Sequence, residues 1–425
     1  MNRASAGARF LAIAAVATMS LAACGSGGNA SGNSSADPAT LTGTLRVLVP
    51  SYPASNEGKA DLDKVVATFH KKYPKVNVEP DFATFATLNQ KISTSIAGGQ
   101  GYDVLVTGVG WIPPFASKGV FEDLSSFGAT PSSLGDSTNP ALVSAAEYNG
   151  KAYAVPLIAG PKPLALRKSL FEKAGLDPSK PPQTMAELKS DAEKLTVKDG
   201  AGNITQAGFD FWAAPGGYRQ DFVALLGSLG VSLYDKSGKP QFAGSEGVQT
   251  LDWMKGMVGS VEKYGSQNAA KSPMVTTGEA AMGFTGGYVD CSSKGVGQDV
   301  CNDLEFFNLK DKQASMFTGG QLASVGKNSK LKQAAWDFIQ DMATPTAEAD
   351  IASLNFAVPA AKSGSDAEIV KSNPASTFAA ANLGDATFEG GAANWLEMRP
   401  KFDSGLDDAL LGKKSSQDVL TSLQQ

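Results

Sequence analysis

GKAYAVPLIAGPKPLALRKSLFEKAGL, residues 150–176, places a strand, a break and a helix in immediate succession. Ala152–Ile158 is a short apolar run of strand formers closed by turn residues, which predicts a buried strand. Gly160, Pro161 and Pro163 follow. Proline lacks an N–H, so this segment is expected to interrupt any central strand. Leu170 and Phe171 then begin a helix that Gly175 closes. A strand that runs through a Pro/Gly break into new structure, part-way along a long chain, marks a crossing between two lobes.

The length agrees. At 425 residues the chain exceeds what one core fills, which predicts two lobes of roughly 100–200 residues each. An apolar share of 42% with 19% charged residues is that of a globular protein. A net charge of −5 and the lack of any basic run argue against a nucleic-acid partner, which needs a basic face.

The N-terminus reads as a leader. Arg3 and Arg9 precede the apolar run Phe10–Val16, too short to span a bilayer. Leu21–Ala22–Ala23–Cys24 resembles the bacterial lipobox, in which the cysteine thiol is diacylated and the leader is cut before it. Two acyl chains suffice for stable anchoring. Residues 1–23 are thus expected to be a signal peptide and 24–42 a flexible tether rich in Gly, Ser and Asn. In an exported chain the remaining pair, Cys291 and Cys301, suggests a disulfide, with a metal site as the alternative.

Thr44–Val49 is an alternating strand, followed by a helix from Asp61 to Tyr73 with Leu62, Val65 and Phe69 on one face. Val76–Val78, a helix Leu88–Ala97 and the strand Tyr102–Val106 complete a βαβαβ pattern, which predicts a parallel sheet flanked by helices. In the second half, Thr184 with Glu187 forms a capping box, and Ala280–Phe284 and Ser315–Gly320 are strand-to-glycine steps. Ligands in such sheets sit beyond the carboxyl ends of strands, here near Tyr52, Trp111 and Pro156.

Several segments, in order, resemble the extracellular solute-binding protein family 1, the carbohydrate-binding lipoproteins of bacterial ABC importers. They are Phe69–Val78, Tyr102–Leu124, Gly150–Pro156 with Arg167–Leu176, Gly278–Tyr288, Gly319–Ile339 and Phe356–Ser363. The resemblance implies a two-lobed, type II-like periplasmic-binding-protein fold of α/β class. Each lobe would be a mixed, mainly parallel sheet flanked by helices. Crossings are expected near Leu157–Gly160, Phe317–Thr318 and Thr344–Thr346. One lobe would hold residues 43–157 and 319–344, the other 158–318 and 345–425. A monomer is expected, lipid-anchored on the outer face of the cytoplasmic membrane, with an ABC permease and a soluble small molecule, a sugar, as partners. A polyol, a glycerol phosphodiester or an osmolyte is the alternative ligand.

Sugars present a C–H face to aromatic rings and hydroxyls to amides, charged groups and backbone N–H. The candidate contacts are Tyr52, Phe85, Trp111, Trp212, Tyr218, Arg219, Tyr288, Thr318, Gly319, Gly320, Asn355 and Trp395. Trp253 and Trp336 lie within helical patterns and read as core. The chain departs from its relatives at Gly160–Leu166 (GPKPLAL), so no hydroxyl contact is expected from the first crossing. Lys162 is expected in solvent; an anionic ligand is the alternative if it reaches the cleft.

No catalytic group, metal ligand set or cofactor motif stands out. The single histidine, His70, sits on the first helix, and no nucleophile elbow or phosphate loop is present. A glycoside hydrolase built from two distant carboxylates is the remaining enzymatic alternative.

Overall fold

The alternating run at Thr44 becomes β1 (Gly43–Leu48), whose Leu45, Val47 and Leu48 are fully buried. The computed structural model describes residues 37–212, 217–264 and 272–424; the leader, Cys24 and residues 25–36 lie outside them. Among the described residues, β1 is followed by β2 (Val76–Asp81) and β3 (Val104–Gly108). A short hairpin, β4 (Glu147–Tyr148) and β5 (Lys151–Ala152), leads into β6 (Val155–Lys162). Next come β7 (Leu164–Arg167), β8 (Val197–Lys198), β9 (Ile204–Asp210), β10 (Ala280–Phe284) and β11 (Leu304–Phe307). The last strands are β12 (Met316–Val325), β13 (Val358–Pro359) and β14 (Ala386–Thr387).

These strands form two large sheets. The first has the order β13-β6-β12-β3-β1-β2, with β14 beside β12; the second has the order β11-β7-β10-β9-β8. Both are mixed, and parallel pairs are fewer than the βαβ pattern predicts. β1 runs parallel to β2 and β3, but β12 returns antiparallel against β3 and β6. In the second sheet β9 and β10 are parallel, while β7 opposes both β10 and β11.

Each sheet has its own core. Helices Asn56–Lys72, Lys332–Met342 and Pro345–Asn355 bury Phe69, Phe338 and Ile351 against the first. The first helix starts a turn earlier than predicted because Ser55 caps it, accepting from Gly58 N. Phe209, Phe222, Phe242, Leu251 and Phe402 fill the second core. Trp253 packs there and donates to Met185 O at 2.9 Å, while Trp336 stacks on Phe127 in the first. Cys291 and Cys301 are disulfide-bonded, with Cα atoms 5.7 Å apart.

Three crossings link the cores, and two differ from expectation. β6 does not stop at Gly160 but continues through Pro161 to Lys162, paired with Gly319, Thr318 and Phe317 of β12. Past Ala159 only β12 flanks it, so the missing Pro161 N–H costs no ladder bond. The third crossing is not at Thr344–Thr346. Thr344 is an N-cap, its side chain accepting from Ala347 N, and Pro345 takes the first helical turn. The helix they start packs on the first core, and β13 joins the first sheet, although 345–425 was expected in the other lobe. The chain crosses instead at β14, which pairs with Met316 and Phe317 of β12.

Candidate functional site

The crossing strands floor a cavity of about 410 Å³ between the two cores. From the first sheet and the helices beside it come Gly108, Val109, Trp111, Ile158 and Phe85, the last opening the helix Phe85–Ala97; from the crossing strands and the end of the helix Pro345–Asn355 come Gly160, Gly319, Gly320, Gln321, Asn355 and Ala357. The opposite wall is Gln220, Glu389 and Arg399, with Phe317 at the floor.

Trp111 caps the short helix Ile112–Ala116 immediately beyond β3. Phe85 meets it edge-on, ring centroids 6.3 Å apart, and Phe115 supports it at 6.1 Å. Phe85 is itself exposed, so the pair forms an apolar lip. Gly320, with φ +152°, lies where a Cβ would stand 2.4 Å from Ile158 O. Glycine is therefore required there, and the β6–β12 ladder slips at the next residue.

The first-sheet wall is held by neutral hydrogen bonds. Ser51 Oγ donates to Gln321 Oε1 at 2.5 Å, and Gln321 Nε2 donates to Asn355 Oδ1 at 3.0 Å. Asn355 Nδ2 donates to Ser51 O at 2.8 Å and to Ile351 O at 2.7 Å. Both Asn355 amide hydrogens are thus spent inward, leaving Gln321 one to offer the cavity.

The opposite wall is held by charge. Arg219 is buried and donates from Nε to Glu389 Oε2 at 2.7 Å, and its Nη1 pairs with Asp403. Burial works against its charge, but the two carboxylates outweigh that and raise its pKa. Glu389 Oε1 also takes Arg399 Nη2 at 3.4 Å, while Arg399 Nε is buried without a partner. Gln220 has no side-chain partner among the described residues, so its amide is available to a ligand.

Of the expected contacts, Phe85, Trp111, Gly319, Gly320 and Asn355 meet at this cavity. The others do not line it. Tyr52 is fully buried in the first core, and Thr318 Oγ1 turns back to Met316 O at 3.2 Å. Tyr218 donates to Glu262 Oε1 at 2.9 Å, and Arg219 acts behind Glu389. Trp395 is 0% exposed, wedged against Tyr234 and Phe402 in the second core. Its indole edge lies beneath Gly110, whose missing side chain admits it. Gln220, Gln321, Glu389 and Arg399 were missed; each sits in an ordinary helical, strand or loop pattern, and only the crossing geometry brings them together.

Trp212 and Tyr288 lie at the cleft beyond that cavity. Lys162 is not in solvent: it is half-buried, its Nζ 4.4 Å from the Trp212 ring centroid, and burial lowers its pKa. Behind it Asp221 is fully buried with neither carboxylate oxygen partnered, and burial drives its pKa well up. Glu262 is pushed up to about 8, first by burial and then by Asp210, against the Tyr218 hydrogen bond. Trp212 has φ +37° and Phe356, next to Asn355, has φ +51°. Such left-handed backbone costs a bulky residue about 1–3 kcal/mol.

Comparison with known proteins gives the arrangement a family. A profile of the bacterial extracellular solute-binding proteins matches residues 53–349. A putative binding protein of Brucella abortus is 23% identical over 398 residues, 89% of this chain and 91% of its own. The diacetylchitobiose binding protein DasA of Streptomyces coelicolor is 25% identical over 358 residues, 80% of this chain and 79% of its own. The cyclic alpha-maltosyl-1,6-maltose binding protein from Arthrobacter globiformis superposes with a TM-score of 0.72 at 20% identity, over 90% of this chain and 97% of its own. Its match is one of fold. With two α/β lobes, strand crossings between them and a cavity at those crossings, this chain belongs to the bacterial extracellular solute-binding proteins.

Proposed function

We propose that this protein captures a sugar in the cavity between its lobes and delivers it to an ABC permease, releasing it chemically unchanged. The observation that carries the reading is the lining: an aromatic lip of Trp111 and Phe85, an amide hydrogen of Gln321 beside it, and uncommitted donors on Gln220 and Arg399 opposite. Rings take a sugar's C–H face and planar donors its hydroxyls. The name of the Streptomyces relative, a diacetylchitobiose binder, supports the same class.

The lining argues against hydrolysis. Among the described residues, Glu389 is the cavity's one carboxylate, and Arg219 and Arg399 hold it as an anion partner. Glycoside hydrolysis needs two carboxylates flanking the scissile bond. The pairing also leaves no excess charge to select an ionic ligand.

Family membership implies export. We further propose that Cys24 carries the lipid that holds the protein at the outer face of the cytoplasmic membrane. Cys24→Ser expressed in its bacterium should appear in the soluble exported fraction; retention in the membrane would reject the anchor. For the ligand, the purified mature chain is titrated calorimetrically with mono-, di- and trisaccharides, polyols, glycerol phosphodiesters and osmolytes. Saturable binding of a saccharide that raises Tm, with the saccharide recovered intact, is the expected result. Binding of only a non-sugar solute would replace the ligand class, and product formation would reject the function.

A further inference from the structure

A second cavity, of about 400 Å³, lies in the first lobe away from the crossings. It opens between the helix Pro131–Ser137, the junction of the helices Lys332–Met342 and Pro345–Asn355, and the segment Ala361–Ser363. Leu134, Val155, Ala343 and Pro345 give it apolar walls. Glu348 enters it from the first turn of the helix Pro345–Asn355, whose far end brings Asn355 to the cavity at the crossings, so the two cavities are separate.

Glu348 is out of keeping with its surroundings. It is 2% exposed, yet it lines the cavity, and its Oε2 accepts from Ala361 N at 2.8 Å. Among the described residues no lysine, arginine or histidine pairs with it. Burial pushes its pKa up to about 8 against the backbone N–H groups of Ala361 and Ala360, and no charged side chain acts on it. Lys362, the cation in the lining, is held elsewhere: its Nζ donates to Gly135 O at 2.6 Å and to Asp136 O at 3.2 Å. A glutamine would keep the Ala361 hydrogen bond without the cost of burying an ionisable group. The carboxyl therefore calls for a counter-charge that the chain does not supply.

The rest of the lining narrows what can supply it. The hydroxyls of Ser137, Thr138 and Ser363 and the amide of Gln340 have no side-chain partner among the described residues, and each can accept a hydrogen bond. An anion would be repelled by Glu348. A divalent metal needs several oxygen ligands, and among the described residues no three acidic, histidine or cysteine side chains come together to hold one. A neutral guest would leave the carboxyl unpaired. We propose that this cavity is a second ligand site, which takes a small organic ammonium ion, its N–H groups on the Glu348 carboxylate and the neighbouring hydroxyls and its hydrocarbon body against Leu134, Val155 and Pro345.

The site is independent of the sugar-binding function, and its test uses no saccharide. The purified mature chain is titrated calorimetrically between pH 6 and 9 with butylammonium chloride and with 1-butanol, its neutral counterpart. Butylammonium should bind saturably at one site, at least tenfold more tightly than butanol. Its affinity should climb from pH 6 and level off above about 8, because the entering ammonium displaces the Glu348 proton. Glu348→Gln should weaken it tenfold or more and flatten the pH profile. Ala343→Leu, which fills the cavity and leaves the carboxyl in place, should weaken it as much. Lack of saturable binding, equal affinity for butanol, a flat wild-type pH profile, or unchanged affinity in either variant would each overturn the site. Should Glu348→Gln fail to fold, Ala343→Leu and the butanol comparison decide the matter by themselves.

Discussion

The two walls of the cavity are organised by different forces. On the first-sheet side, Ser51, Gln321 and Asn355 hold one another through neutral hydrogen bonds, each within 3.0 Å. On the other side Arg219, Glu389, Arg399 and Asp403 hold one another by charge, with Arg219 and Glu389 both buried. A neutral network leaves little behind when one member is cut, since each amide retains other bonds. A buried ion network does not: removing one charge strands another in a low dielectric. The first wall can therefore be altered to tune affinity, whereas the second is tied to the stability of its lobe.

Trp395→Ala should give the largest effect. It empties a fully buried site in the second core and should cost about 3–5 kcal/mol in denaturant unfolding. A near-normal midpoint with lost ligand binding would mean the indole serves the cleft after all. Arg219→Met should come next, at roughly 3 kcal/mol, because Arg399 still partly neutralises the stranded Glu389. Restoration of the midpoint by Glu389→Gln in the same chain would confirm that the penalty is a lone anion.

On the neutral wall Gln321→Ala should cost only about 1 kcal/mol of stability, while weakening binding of whichever saccharide the wild type takes. Trp111→Ala should weaken that saccharide by about 1 kcal/mol, read by calorimetry, and should also cost stability, because the ring is nearly buried among Leu88, Ile112 and Phe115. If Gln321→Ala lowers Tm as much as Arg219→Met, the contrast between the walls fails.

The smallest effect concerns pH. Glu262 and Glu348 are both raised to about 8, first by burial, and burial raises Asp221 as well. A raised carboxyl pKa means that the folded chain holds protons the unfolded chain has released. The stability these groups provide is complete below the unfolded value, near 4.3, and is lost as pH rises through about 8. The wild-type Tm should accordingly fall between about pH 5 and 8, and Glu262→Gln, which keeps the Tyr218 hydrogen bond, should flatten part of that slope. An unchanged slope would place the proton elsewhere.

Much of this was legible in the residues. The capping box at Thr184–Glu187, the buried faces of the first helix and the aromatic lip at Trp111 follow from local patterns with local causes. Local pattern misled at Pro161, because whether a proline breaks a strand depends on which neighbour stands at its N–H side. It misled again at Pro345, where the same residue type begins a helix instead of ending a lobe.

By itself, then, the sequence determined the class of fold, the order of its elements and the family, since periodicity, caps and turn residues act over a few positions. The tertiary structure alone decided which side chains meet. Trp111 and Trp395 both follow glycine-rich loops, yet one faces the cavity and the other fills a core. Gln321 and Asn355, or Arg219 and Glu389, lie 34 and 170 residues apart. Only the side-by-side crossing of β6, β12 and β14 brings those partners within bonding distance, and no pattern of short range encodes that packing.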